Sequence, residues 1–361
     1  MTNRYRWRFA SDAVRAELGE FPETMLETGE EVKSNPVRRV VRAGDYFLKC
    51  DLRGAGRFRR EWRGAELLRE SGIPVVEYLA CGESPNGGCL VTRALPDSES
   101  VGEYYWRKFV RGGEDPEPFL KRFAPFVRKI LESGLFHPDF HIGNILCDKR
   151  NGSFVMVDAM GIRRATLCDR LFRMYRMRRI PMELREPLGR ERMIALIGEC
   201  GIPSPAEFFD RALDREADAL WNEWPKRRRQ ILAGYPKFTR RIDGILHTVD
   251  PLRRIEENVN CVVIEDEEPE LLEKMFLAHF FLQLALIPHR RAAAYDPENG
   301  RLYLEPVPGG AVPARAGDQE ERMAAFDLTS GLTDWISGGK GKGKENENVR
   351  FFNLKRIAKF M

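Results

Sequence analysis

Hydrophobic and polar positions divide this chain into short elements of recognisable period. Asp45-Tyr46-Phe47-Leu48-Lys49, after the Ala43-Gly44 turn, reads as a strand ending at Lys49. A helical stretch beginning at Arg60-Glu61-Trp62 runs through Ala65, Leu67 and Leu68 to a stop at Gly72-Ile73-Pro74. Pro118 to Ser133 repeats its apolar residues at helical spacing and stops at Gly134. Asn144-Ile145-Leu146-Cys147 then predicts a short strand, and Asn151-Gly152 a hairpin turn into a second, Phe154-Val155-Met156-Val157. Further on, Ile255 to Ile264 alternates before the acidic run Glu265 to Glu270. The longest apolar run, Met275 to Pro288, is too short to span a bilayer and carries His279 and Gln283, so it predicts a buried helix. Ala293 to Tyr295 and Arg301 to Leu304, around Asn299-Gly300, predict a closing hairpin. The whole reads as α+β. Residues 1–29 form a leading helix or arm, 30–95 a mostly β part with one helix, 96–245 a helical part around the central hairpin, and 246–336 an extension of no assigned role.

The central hairpin also holds the candidate chemistry. His137-Pro138-Asp139, with Asn144 five residues after the aspartate, fits H-x-D-x-x-x-x-N, and Asp158 follows fourteen residues later, closing the apolar run. Asp139 would accept or orient the proton of an attacking hydroxyl. Asn144 and Asp158 would hold the magnesium ions that bridge nucleotide phosphates, because hard cations take oxygen ligands. Taken singly, Asp139 and Asn144 would merely cap turns and Asp158 would end a strand. Together, in a helix, loop, hairpin and strand context, they predict a kinase. Such an enzyme also needs an upstream strand lysine to reach the phosphates, held by a glutamate on the following helix. Lys49 fits, and Glu61 is the expected partner. Glu66 competes with it, and the helical wheel alone does not separate residues five apart.

Over about residues 30 to 240, the segments YFLK, RREWRGAELLRESGIPVVEYLACGE, CLVTRAL, HPDFHIGNILCD and VMVDAMGIRRA together resemble the lipopolysaccharide kinase family of Gram-negative bacteria. The resemblance implies a two-lobed protein-kinase-like fold with a C-terminal extension, in which residues 30–95 are the N-lobe and 96–245 the C-lobe. It implies ATP-dependent phosphorylation of Kdo or heptose of the lipopolysaccharide inner core. It makes Lys49 and Glu61 the ATP-side ion pair and Val91 to Leu95, with Arg93 among them, the hinge under adenine. Asp139 becomes the catalytic base, Asn144 and Asp158 the magnesium ligands, and Asp169 the residue that ties the catalytic loop to a helix. Three departures stand out. No G-x-G-x-x-G precedes Lys49, and the phosphate-covering turn falls to Lys33-Ser34-Asn35-Pro36, which has no glycine. Asp158-Ala159-Met160-Gly161 replaces D-F-G with one extra residue, and Arg93 stands where the family often has an acid. Asp139-Phe140-His141-Ile142-Gly143-Asn144 also fits the D-x-H-x-x-N of small-molecule kinases of the aminoglycoside or choline type. No A-P-E segment follows Asp158, which disfavours a protein kinase, and the full set of polar residues argues against an inactive kinase-like binding module.

Composition narrows the setting. A chain of 361 residues can bury a large core in more than one unit. Seven cysteines, with no C-x-x-C pair, argue against a disulfide framework or structural zinc and for a reducing compartment. The first twenty residues carry no secretory signal pattern, so a cytoplasmic location is expected. The net charge of +4 gathers in clusters: Arg173, Arg176, Arg178 and Arg179, then Lys226 to Arg229, Arg240-Arg241 and Arg253-Arg254. Solvated helix faces account for most such runs, and an anionic sugar partner is the alternative. No nucleic-acid-binding motif accompanies them, so no nucleic acid is expected. Residues 337–361 read as a flexible basic linker, Gly338 to Lys344, and a tail, Val349 to Met361. The tail bears Arg350, Lys355, Arg356 and Lys359, which suits an anionic membrane surface presenting a lipid-linked sugar; docking on the domain is the other reading.

Overall fold

The computed structural model describes residues 6–19, 23–34, 37–51, 56–84, 87–166, 180, 183–184, 188–249, 255, 261–265, 267–285 and 291–305. The architecture is α+β. Contacts divide the chain into two compact units, Met1–Tyr105 with Asp115–Glu183 and Gly198–Ile202, and Trp106–Glu114 with Leu184–Ile197 and Pro203–Met361. The tail, the linker, Asp169, the 173–179 arginine cluster and Arg253-Arg254 lie outside the described residues.

The first unit opens with a six-stranded antiparallel sheet in the order β1-β5-β6-β4-β3-β2. Its strands are β1 (Arg6–Ala10), β2 (Glu30–Ser34), β3 (Arg38–Ala43), β4 (Tyr46–Asp51), β5 (Tyr78–Ser84) and β6 (Gly87–Arg93). Strand alternation sorts β4 onto two faces. Tyr46, Leu48 and Cys50 join a core with Trp7, Val14, Leu18, Val41, Ala80, Cys89 and Val91. The stretch expected as a leading helix or arm therefore supplies an edge strand, β1, as well as a helix, α1 (Asp12–Leu18), whose Val14 and Leu18 enter this core; α2 (Glu23–Thr28) follows. Ser11 caps α1 by accepting from the Val14 N–H at 3.2 Å, and the Trp7 indole donates to the Gly19 carbonyl at 3.0 Å. Phe47, Lys49 and Asp51 lie on the other face. Helix α3 (Gly56–Glu70) packs on β5 and β6, and it begins at Gly56, four residues before the expected Arg60. Its buried residues Phe58, Glu61, Ala65 and Leu68 recur every three or four positions, so one stripe meets the sheet.

After β6 come β7 (Ser98–Ser100), α4 (Val101–Tyr105) and α5 (Glu117–Glu132). The α5 stripe places Phe119, Phe123 and Phe126 around the Phe154 ring at 5.4, 5.1 and 5.5 Å. Phe154 begins β10 (Phe154–Met156), which pairs with β9 (Ile145–Asp148), as β9 does with β7. The hairpin turns at Gly152, φ +68°, where the missing Cβ removes the steric cost. Two bonds stitch hairpin to sheet: Met156 donates to the Pro74 carbonyl at 2.8 Å, and Val76 to the Met156 carbonyl at 3.0 Å. A two-residue ribbon, β8 (Leu135–Phe136) with β11 (Arg163–Arg164), closes the loop that carries Asp139.

In the second unit, after α6 (Arg190–Glu199) and α7 (Pro205–Leu232), lies a five-stranded sheet. It comprises β12 (Thr239–Ile242), β13 (Ile245–Thr248), β14 (Val262–Ile264), β15 (Ala292–Asp296) and β16 (Arg301–Leu304), in the order β12-β13-β15-β16-β14. The alternating run ends in β14, and the expected closing hairpin is β15–β16. The longest apolar run forms helix α8 (Pro269–Leu284), buried from Met275 to Leu282, with Phe276 against Tyr295 at 5.5 Å and Phe281 against Trp221 and Trp224. No described helix is long and apolar enough to cross a membrane.

Candidate active site

Because β4 turns Lys49 and α3 turns Glu61 toward each other, the Lys49 Nζ lies 2.8 Å from Glu61 Oε1. Glu61 is fully buried. A buried carboxylate without a cation would cost several kcal/mol, so this pair is a structural requirement as well as a chemical device. Glu66 points elsewhere and accepts from the Trp62 indole at 3.0 Å. Two further groups complete the cluster. Arg38, first residue of β3, sits 4.0 Å from Glu61 Oε2 and 3.8 Å from Asp158 Oδ2. The Tyr78 hydroxyl donates to Glu61 Oε1 at 3.3 Å and accepts from the Ala159 N–H at 3.2 Å.

Asp158 lies just beyond β10 in the left-handed region, φ +55°, uncommon for a residue with a Cβ. Burial alone would raise its pKa, but Lys49, Arg38, Arg57 and His137 together bring it below the usual carboxylate value. It is therefore an anion at neutral pH. Its Oδ1 is buried with no hydrogen-bond partner.

The loop between β8 and β9 is built by side chains that bond their own backbone. His137 Nδ1 accepts from the Asp139 N–H at 3.1 Å, and His141 Nδ1 from the Gly143 N–H at 3.0 Å. His141 Nε2 in turn stands 3.5 Å from Asp139 Oδ2, while the Asp139 side chain is 64% exposed and open to an acceptor. The Asn144 amide donates to the Asp139 carbonyl at 2.9 Å, which turns its Oδ1 the other way. Val157 donates to the Asn144 carbonyl at 2.9 Å, so the loop of Asp139 and the strand leading to Asp158 are bonded directly. Glu183 accepts from the Ile142 N–H at 3.0 Å, a tie to the loop of the kind expected of Asp169.

Of the hinge positions, Val91 is wholly buried within β6, between β4 and β5. The Arg93 N–H donates to the Glu77 carbonyl at 2.9 Å, and its guanidinium pairs with Glu77 and lies over the Tyr46 ring. Leu95 alone of these three lies past the strand end. Of the turn expected over the phosphates, Lys33 and Ser34 instead end β2, paired with Val40 and Arg39 of β3, and 35–36 lie outside the described residues. Sequence reasoning missed Arg38, Tyr78, Gly64 and Glu183. Gly64 carried a readable signal, since glycine inside a helix costs about 1 kcal/mol against alanine and marks a close approach.

The donor set fits magnesium bound with a nucleotide: an amide oxygen on Asn144 and an orphaned carboxylate oxygen on Asp158, with phosphates left to complete the shell. Among the described residues no group of three or more His, Cys, Asp or Glu could hold a metal ion. A strand lysine paired to a helix glutamate, beside an ionised aspartate and an H-x-D-x-x-x-x-N loop, defines a kinase. Residues 45–166, about a third of the chain, match the model of the lipopolysaccharide kinase (Kdo/WaaP) family. That segment holds Lys49, Glu61, Asp139, Asn144 and Asp158; the protein is a kinase, and the match is narrower than the span of the sequence resemblance. No curated protein matches the chain.

Proposed function

We propose that the protein transfers the γ-phosphoryl group of ATP to a sugar hydroxyl of the lipopolysaccharide inner core, on Kdo or heptose, in a two-lobed protein-kinase-like fold. The observation that carries this reading is the juxtaposition of the Lys49–Glu61 pair with Asp158, whose strand is bonded to the Asp139 loop. Lys49, oriented by Glu61, binds phosphate oxygens. Arg38 adds a second cation where no glycine-rich turn is available, and its planar fork suits phosphate. Asp139 takes the proton of the acceptor hydroxyl, its carboxylate steered by His141. Asn144 and Asp158 hold magnesium, which when bound neutralises charge on the phosphates. Adenine lies near Leu95, beyond the strand whose N–H groups are already engaged. The acceptor is lipid-linked, and the enzyme works at the cytoplasmic face of the inner membrane.

The test is purified protein with labelled ATP and magnesium, offered core lipopolysaccharide, soluble sugars, aminoglycosides, choline or protein. Label in the lipopolysaccharide core supports the reading. Label in an aminoglycoside or choline, with none in the core, replaces it by the small-molecule kinase that D-x-H-x-x-N also fits.

A further inference from the structure

Residues 74–78 run from the α3 stop into β5 and touch the hairpin on the way, through Pro74, Val76 and the parallel bridge of Val75 with Met156. They deliver Tyr78 to the site. Its ring is buried under Trp62, edge-on at 6.3 Å, and Phe9 stacks on Trp62 at 5.7 Å. Burial, then the charge of Glu61, raises the phenol pKa well above its usual value, so the hydroxyl keeps its proton and can donate and accept at once. It does both, to Glu61 and from Ala159. On the other side of Ala159 stands Gly64, one turn after Glu61 on the same face of α3. A Cβ there would lie 2.1 Å from the Ala159 carbonyl oxygen. The residue after Asp158 is thus gripped from both sides, by a hydroxyl on its N–H and by helix backbone on its carbonyl.

The geometry points to Tyr78 as a positioning residue that holds Glu61 and the Asp158 segment as one body, so that the phosphate lysine and the metal aspartate are set together before nucleotide arrives. The inference rests on the roles proposed above for Lys49, Glu61 and Asp158. A tyrosine that merely fills space would need its ring alone.

Tyr78→Phe keeps the ring and removes both bonds. Expected are a turnover about tenfold lower at saturating ATP, a half-saturating magnesium concentration several-fold higher, and a Tm within a few degrees of the parent. In a Glu61→Gln background the same change should cost less than in the parent, because the tie to Glu61 is already weakened and mainly the hold on Ala159 is left to lose. Wild-type turnover and magnesium dependence in Tyr78→Phe, or an equal loss in both backgrounds, overturns the proposal. Lys49→Met and Asp158→Ala separate this failure from that of the site itself. If they retain turnover, the roles given to those residues fall; if they abolish it while Tyr78→Phe behaves as wild type, the tyrosine proposal alone falls. Hydrogen exchange on the wild-type protein serves should Tyr78→Phe not fold. The Ala159 amide should be protected without nucleotide, and exchange there at the rate of an open loop counts against the clamp.

Discussion

At the scale of single residues, the two aspartates to which separate roles are proposed lie in different environments. Asp139 is exposed and touched by His141, whereas Asp158 is largely enclosed and held anionic by surrounding cations. Asp139→Asn should lower phosphoryl transfer by about 10² to 10⁴-fold while nucleotide binding persists, since proton acceptance alone is lost. Asp158→Ala should remove both turnover and the magnesium-dependent stabilisation by ATP, which is about 2.7 kcal/mol at a hundred times Kd. A thermal-shift titration separates them, and an undiminished Mg-ATP shift in Asp158→Ala would end its metal role. His137 makes a pH prediction. Burial pushes its pKa from 6.5 down to about 4, against the opposing pull of Asp158 and Asp139. Between those values the unfolded chain takes up a proton that the folded protein refuses. Stability is therefore full above about pH 6.5 and falls toward pH 4, by about 3 kcal/mol if the whole shift is expressed. His137→Asn, which keeps an acceptor for the Asp139 N–H, should show a flatter Tm profile over that window. A slope equal to the parent's would assign the acid loss to other groups.

At the scale of elements, α3 couples the sheet to the Asp158 segment through its shape as much as through Glu61. Gly64→Ala at an open helical site would stabilise by a fraction of a kcal/mol, through propensity and reduced unfolded-state entropy. Here the sign should reverse. The added carbon meets backbone, which does not swing aside as a side chain would, and overpacking of this kind costs about 1–3 kcal/mol. Both Tm and turnover should fall. A raised Tm with unchanged turnover would mean that α3 relaxes away from Ala159 at no cost. The small side chain of Ala159, where D-F-G has phenylalanine, agrees with so close an approach.

At the scale of the whole molecule, no described helix is long and apolar enough to cross a membrane, and the proposed lipid-linked acceptor would lie at an anionic surface that a basic tail suits. The tail beyond the basic linker carries Arg350, Lys355, Arg356 and Lys359. Each basic residue near an anionic surface adds about 1 kcal/mol, enough together for reversible, salt-sensitive binding. Deleting residues 345–361 should therefore weaken co-sedimentation with anionic vesicles at low salt and slow reaction on lipid-anchored acceptor, while ATP hydrolysis without acceptor stays near the parent value. Equal pelleting of full-length and truncated protein would make the tail a packing element.

The parts of the site legible in the sequence are those that local chain geometry places. Asp139, Asn144 and Asp158 lie on one loop, hairpin and strand, which short-range bonds tie together through the Asp139 and Asn144 carbonyls. The apolar period likewise announced α5, the longest apolar run α8, and the Asn299-Gly300 turn the β15–β16 hairpin, since each is a property of the segment itself. Tertiary structure decided what spacing does not encode. The choice of Glu61 over Glu66 came from which side of α3 the sheet covers, and the leading residues became an edge strand and a covering helix because the face of Leu48 and Val91 needed burial. Arg38, Tyr78 and Gly64 reach Asp158 and Ala159 across roughly eighty to one hundred and twenty residues of chain. Nothing local marks such an encounter, because its geometry is set by sheet register and by helix-on-sheet packing.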